Sequence, residues 1–233
     1  MRKQTLKRRT FLKTSTLAGA GFAIGFTFGP FVSLANGSGP SVSRTKGAEL
    51  GLWVRIASDG TITLIAPSSE MGQGVNTSLS MIIAEELEAD WQSIKTETAP
   101  AHSDYKNPNN PLQFTGGSSS LRGFWEPLRE VGAAAREMLK TAAAQKWDVP
   151  VNECEAKSGK ILHKKSGREI GYGELAEAAG KLDVPSDPVL KSPEDYELIG
   201  KPVMRLDLPA KVTGSAQFGI DVRIPGMLFA TAR

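Results

Sequence analysis

The chain has 233 residues and a formal net charge of +3, room for one domain and part of another. Six positive charges (Arg2, Lys3, Lys7, Arg8, Arg9 and Lys13) stand before residue 36 with no acid among them. The remainder is therefore left at −3, which excludes a basic nucleic-acid footprint on the globular part. The single cysteine, Cys154, excludes an internal disulfide framework and any all-cysteine zinc or iron–sulfur site. His102 and His163 are too far apart for a zinc motif, and each is expected in a loop or on a surface strand.

The first 35 residues have a basic stretch and then an apolar run from Leu17 to Ala35, followed by a polar segment from Asn36 to Ser43; this is the layout of an export signal. Residues 7–13, K-R-R-T-F-L-K, resemble the twin-arginine signal in Arg8-Arg9, Phe11, Leu12 and Lys13, although Lys7 stands where Ser or Thr is usual. A Sec-type leader, an uncleaved anchor and a basic amphipathic surface helix are the alternatives. The apolar run is broken by Gly19, Gly21, Gly25, Gly29 and Pro30, which makes a poor permanent membrane helix. Ser33-Leu34-Ala35 offers a small-x-small cleavage site. The expected address is the periplasm, by a route that carries folded proteins, with membrane contact only through the signal segment.

In the body, Leu52 to Ala57 and Thr61 to Ala66 predict a hairpin turning at Asp59-Gly60. Apolar residues at Leu79, Ile82, Ile83 and Leu87 predict a helix over 77–89, and Ile94 to Thr98 reads as a strand before a long Pro- and Asn-rich loop, 100–111. A second helix is predicted over 121–147, with Leu128, Val131, Ala135, Met138, Leu139 and Ala142 on its apolar face. A short hairpin is expected around Ser158-Gly159 and a third helix over 172–182; Pro185, Pro188 and Pro193 mark 183–195 as a linker. Strands and helices without regular alternation argue an α+β fold.

Two small-residue loops could carry chemistry. S-S-E-M-G-Q-G-V-N-T, residues 68–77, joins a strand to a helix. Its glycines allow close backbone approach, the helix start favours an anion, and Gln73 offers a donor and an acceptor; the bland alternative is a tight turn with a helix cap. T-G-G-S-S-S, residues 115–120, runs into the second helix. The backbone of Gly116 and Gly117 and the hydroxyls of Ser118, Ser119 and Ser120 would make a neutral, donor-rich cradle, or equally a flexible loop and an N-cap.

E-M-G-Q-G-V-N-T with A-E-E-L, T-G-G-S-S-S-L-R-G, and the stretch from Tyr196 to Ala230 resemble the molybdopterin-binding large subunit of the xanthine oxidase family. The permuted isoquinoline 1-oxidoreductase beta subunit type is the nearest variant. The resemblance implies a signal peptide over 1–35, a linker over 36–50 and a partial molybdopterin-binding domain over 51–182. After the 183–195 linker it implies the start of an α/β hammerhead domain over 196–233.

It also implies a molybdopterin dinucleotide, with the cytosine form expected, held by Gly72, Gln73, Gly74, Gly116, Gly117, Ser118, Ser119 and Ser120. The metal is held by the pterin dithiolene and needs no protein ligand, and Glu70 and Cys154 are assigned to structure. The implied partners are a [2Fe–2S] small subunit, with a c-type cytochrome as a further electron acceptor, and a small-molecule substrate. The family's catalytic glutamate belongs to a Gly-Val-Gly-Glu-type motif that does not occur here, so no catalytic residue is assigned. A truncated frame, a split gene product or a fragment, inactive alone, is the expectation; an exported non-catalytic binding protein is the rival.

Overall fold

A computed structural model describes residues 21–25 and 52–231. Arg8-Arg9, the Ser33-Leu34-Ala35 site and the 36–50 linker lie outside the described residues. Within the apolar run read as a leader, Gly21–Gly25 forms strand β1, antiparallel to β2 (Leu52–Ala57). β2 turns into β3 (Ile62–Ala66) through Asp59-Gly60, where Gly60 takes φ +87° and the Asp59 carboxylate accepts the Thr61 N–H at 2.9 Å. Helix α1 (Val75–Leu87) then carries the chain back, so that β4 (Ile94–Thr98) lies parallel to β3 and the sheet order is β1-β2-β3-β4. One βαβ crossover is thus present in an otherwise antiparallel, mixed α+β architecture.

α1 is enclosed almost all round: Leu79, Ile82, Ile83 and Leu87 are buried, and so are Ser80, Glu85 and Glu86. Helix α2 (Ser119–Trp147) supplies one of the enclosing walls, since the small residues Gly132 to Ala135 let it approach closely. A Cβ on Gly132 would stand 2.4 Å from the Ile83 carbonyl oxygen. Trp53 packs edge-on to Tyr105 at 5.0 Å between ring centroids, and tilted against Phe124 at 6.0 Å, closing the core between sheet and α2.

A second sheet, β5 (Cys154–Lys157), β6 (Lys160–His163) and β7 (Arg168–Gly171), leads into α3 (Tyr172–Ala179), which is shorter than the 172–182 expected. Its turn closes the end of α1: the Gly159 N–H donates to the Glu88 carbonyl at 2.8 Å, and the buried Tyr172 hydroxyl donates to the Leu87 carbonyl at 2.7 Å.

The proline-broken stretch after α3 has one 3₁₀ turn, Pro193–Asp195, and together with residues 197–199 it is fastened as a strap. Glu85 accepts the N–H groups of Glu197 (3.0 Å), Leu198 (2.7 Å) and Ile199 (2.8 Å) and the Lys191 ammonium (2.6 Å). Glu86 accepts the Lys191 N–H at 2.9 Å, Arg129 at 2.7 Å and Arg136 at 3.3 Å. Two buried carboxylates, each multiply paired, therefore join α1 to the strap and to α2. Beyond it, helix α4 (Leu208–Val212) and a 3₁₀ turn at Gly219–Asp221 occur, with no strand among the described residues of 196–231.

Candidate functional site

The loop from Ser68 to Gly74 ends at the start of α1, and its geometry is set by Glu70. The Glu70 carboxylate accepts the N–H groups of Gly72 (2.8 Å), Gly74 (2.9 Å) and Asn76 (3.1 Å). The helix start that the sequence offered to an external anion thus already has a carboxylate of its own. Burial opposes the Glu70 charge, but these N–H groups and Arg205 outweigh it and hold the carboxyl below its ordinary range. Gln73 folds back onto its own loop, accepting the Met71 N–H at 2.7 Å and donating to the Ser69 carbonyl at 3.0 Å. Gly72 (φ +103°) and Gly74 (φ +82°) supply the left-handed turns, and nothing stands within 4 Å of where a Cβ on Gly72 would lie.

The second loop lies against the first. The Ser69 N–H donates to Thr115 Oγ1 at 2.9 Å, which ties the two glycine loops together across 46 residues of sequence. Gly117 (φ +59°) and Ser118 (φ +52°) are both left-handed, and Arg122 holds them from the following helix turn through the Gly117 and Ser118 carbonyls at 3.0 and 2.9 Å. The Gly117 and Ser118 N–H groups have no acceptor among the described residues, and a Cβ on Gly117 would meet open space. Ser119 is committed to structure, since its Oγ donates to the Gly116 carbonyl at 2.8 Å and its carbonyl accepts from Asn107 at 3.0 Å. Gly116 lies under the Phe114 ring, 2.5 Å from where its Cβ would be, so a side chain there would displace the ring.

The two loops thus present open backbone at Gly72 and Gly117 and free N–H groups at Gly117 and Ser118, and beside the first loop Ser68 Oγ and Asn76 Oδ1 are buried without a partner. Close backbone approach with unspent donors and acceptors suits an uncharged or weakly anionic heterocycle, and these residues fit a pterin in that respect. A cavity of about 440 Å³ adjoins the first loop, lined by Glu70, Met71, Gly72, Asp207, Lys211 and Phe218 among others.

Residues elsewhere serve the fold. The larger cleft, about 880 Å³, lies among α2, the β5–β6 hairpin and residues 191–197; its lysines are largely paired, Lys191 with Glu85 and Glu88 and Lys165 with Glu153. Cys154 is buried, and burial pushes its thiol up, away from the reactive thiolate. His163 does not sit on an exposed strand face: it ends β6 buried, bonded to Glu153 at 2.9 Å and Ser166 at 2.7 Å. No group of three or more His, Cys, Asp or Glu placed to hold a metal occurs among the described residues.

Glu70, assigned to structure from the sequence, organises the loop, and its local signal is a carboxylate just before a glycine turn and a helix. Arg205 escaped the sequence reading, for it reaches Gly72 across 133 residues, donating to its carbonyl at 3.1 Å and to Glu70 at 3.3 Å.

Residues 5–205 match the molybdopterin cofactor-binding domain. The chain belongs to that family. Among curated proteins it is 35% identical to the isoquinoline 1-oxidoreductase subunit beta of Brevundimonas diminuta, over 87% of this chain and 30% of that one. It is 34% identical to the membrane-bound aldehyde dehydrogenase [pyrroloquinoline-quinone] of Gluconacetobacter polyoxogenes, over 97% of this chain and 29% of that one. This molybdopterin cofactor-binding domain chain thus spans about 30% of the length of these relatives. Of solved structures, quinoline 2-oxidoreductase from Pseudomonas putida 86 superposes with a TM-score of 0.42 at 19% identity, covering 54% of this chain and 15% of that one.

Proposed function

We propose that this chain supplies one wall of the molybdopterin dinucleotide site in the large subunit of a molybdenum-dependent oxidoreductase that oxidises an N-heterocycle or an aldehyde with water as the oxygen source. The observation that carries the reading is the Ser69–Thr115 bond, which joins two open glycine loops with unspent polar atoms around them. Gly72, Gln73 and Gly74 hold one side of the cofactor and Gly116 to Ser120 the other. Gly117 and Ser118 offer N–H groups, while Gln73 and Ser119 shape the loops more than they reach outward. The bound cofactor supplies the two-electron redox centre, and the residues here bind and orient it. Electrons pass to a [2Fe–2S] subunit or a c-type cytochrome, and the "subunit beta" of the first relative's name supports a multi-subunit enzyme.

Native mass spectrometry of the chain and its copurifying partners from its own host is the test. A bound molybdopterin cytosine dinucleotide is expected; a quinone such as the second relative's name carries, or no cofactor at all, would sink the reading. We further propose export by the twin-arginine route. A reporter fused to residues 1–40 should reach the periplasm and should stay inside when Arg8 and Arg9 are both replaced by Lys; unimpaired export of that variant overturns the assignment. Cleavage after Ala35 would remove β1 with the leader and free the outer edge of β2.

A further inference from the structure

We infer that Arg205 is the positioning residue of the first glycine loop, so that the loop takes its cofactor-holding shape only once the segment 197–207 has docked on α1. This rests on the function proposed above and adds to it a residue that the sequence reading placed in the next domain. Four of the five guanidinium N–H donors are engaged. Nε and Nη2 fork onto the Asp207 carboxylate at 2.9 and 2.8 Å, Nη1 donates to the Gly72 carbonyl at 3.1 Å, and Nη2 also reaches Glu70 Oε1 at 3.3 Å.

The direction of control follows from what fixes each side. Arg205 is anchored without help from the loop: by the Asp207 fork, by the Leu206 N–H on Thr77 Oγ1 at 3.1 Å, and upstream by the Glu85 clasp on residues 197–199. The loop's own bonds, from Glu70 and Gln73, run mostly within it, and the Ser69 N–H on Thr115 Oγ1 ties only its start; at its tip Met71 is 70% exposed, nothing stands over Gly72, and the Arg205 bond to the Gly72 carbonyl is the tie from outside. With the Gly72 N–H held by Glu70 and its carbonyl by Arg205, both peptide planes flanking a residue that favours no conformation of its own are set.

The charged groups around Glu70 are Arg205, Asp207 and Lys211, the last bonded to Asp207 at 2.5 Å. Glu70 is held below its ordinary value of 4.5, so its grip on the loop is present above that value and lost as pH falls through the lowered one. Removing Arg205 therefore raises the pH at which the loop loosens.

The test uses the full chain with Arg205→Gln and Arg205→Lys, reading amide hydrogen exchange, the Glu70 titration by NMR, and pterin content by fluorescence after oxidation. Arg205→Gln should speed exchange at Gly72, Gly74 and Asn76 by about tenfold or more, leave Ile83 and Leu87 unchanged, raise the Glu70 midpoint and lower pterin content. Arg205→Lys keeps the charge without the fork; it should restore most of the Glu70 midpoint but only part of the protection, and it carries the test alone if Arg205→Gln does not fold. Unchanged exchange at the three amides overturns the inference, as does faster exchange with pterin content equal to that of the unsubstituted chain. Absence of pterin from the unsubstituted chain counts against the proposed function, and the exchange and titration readings then still decide the role of Arg205.

Discussion

Gly132→Ala probes the contact on which the relative placing of the two glycine loops depends. The new Cβ would lie 2.4 Å from the Ile83 carbonyl oxygen, 2.8 Å from Glu86 Cβ and 3.2 Å from the Ile83 carbonyl carbon, against an ordinary contact of 3.4 Å or more. Two of these three atoms are helical backbone and cannot swing aside, so α1 and α2 must part by about 1 Å, at the upper end of the roughly 1–3 kcal/mol that overpacking costs. Alanine's better helix propensity returns about 1 kcal/mol, leaving a net loss of about 2 kcal/mol. Urea unfolding of the full chain measures it. Gly60→Ala is the contrast, because that Cβ meets nothing within 4 Å and the loss of about 1–2 kcal/mol comes from its φ of +87° alone, with no movement of helices. Since α1 and α2 each begin at a glycine loop, Gly132→Ala should also lower pterin content while Gly60→Ala does not. A Gly132→Ala chain more stable than its parent would show propensity acting unopposed and would refute the close approach.

Glu86→Ala should cost about 3–5 kcal/mol in the same assay, because it leaves Arg129 and Arg136 largely buried without their shared carboxylate; a loss under about 1 kcal/mol would contradict this. Burial opposes the Glu85 charge, but Lys191 and the N–H groups of Ile199, Glu197 and Leu198 outweigh it and leave the carboxyl below its ordinary 4.5. The strap is therefore held above that value and released as pH falls through the lowered one, so the protection of the Glu197, Leu198 and Ile199 amides, relative to the intrinsic exchange rate at each pH, should fall on acidification before that of the α2 core. Gly72→Val should empty the cofactor site more fully than Gln73→Ala, because a β-branched residue is strained at φ +103° whereas Gln73 loses two loop bonds of about 1 kcal/mol each; equal molybdenum content in both variants would count against this.

The local elements were legible because each follows from a short-range rule. The Asp59-Gly60 turn fixes the first hairpin and the alternation around it, Ile94 to Thr98 forms the strand expected, and the apolar spacing from Leu128 to Ala142 places α2 to within two residues of its observed start. β7 escaped because Arg168–Gly171 has one buried apolar residue, Ile170, too little for a period to show. The parallel pairing of β3 with β4 escaped because α1 is buried on nearly all sides and so gives no polar face to locate it between layers. At the site, the two glycine loops could be found from composition, but their junction could not, since a Ser69 N–H meeting Thr115 Oγ1 has no sequence signature. The Glu85-Glu86 clasp could not be read from the sequence, because acids are seldom buried and their partners are supplied by the distant strap.

The two ends of α1 are finished by parts of the chain made long after it. Its start is tied by Arg205, 135 residues beyond Glu70, and its end by Gly159 and Tyr172, while the Glu197–Glu85 bond spans 112 residues. At ordinary translation speeds the interval between Glu70 and Arg205 leaving the ribosome is on the order of 10 s, far longer than a helix needs to form or melt. Arg129 and Arg136 reach Glu86 about half-way through that interval, but the strap residues that clasp Glu85 come only at its end, so a helix destined for the interior waits with Glu85 unpaired. The tertiary closure of this chain is thus nonlocal even where its secondary structure is helical, a topology that slows folding.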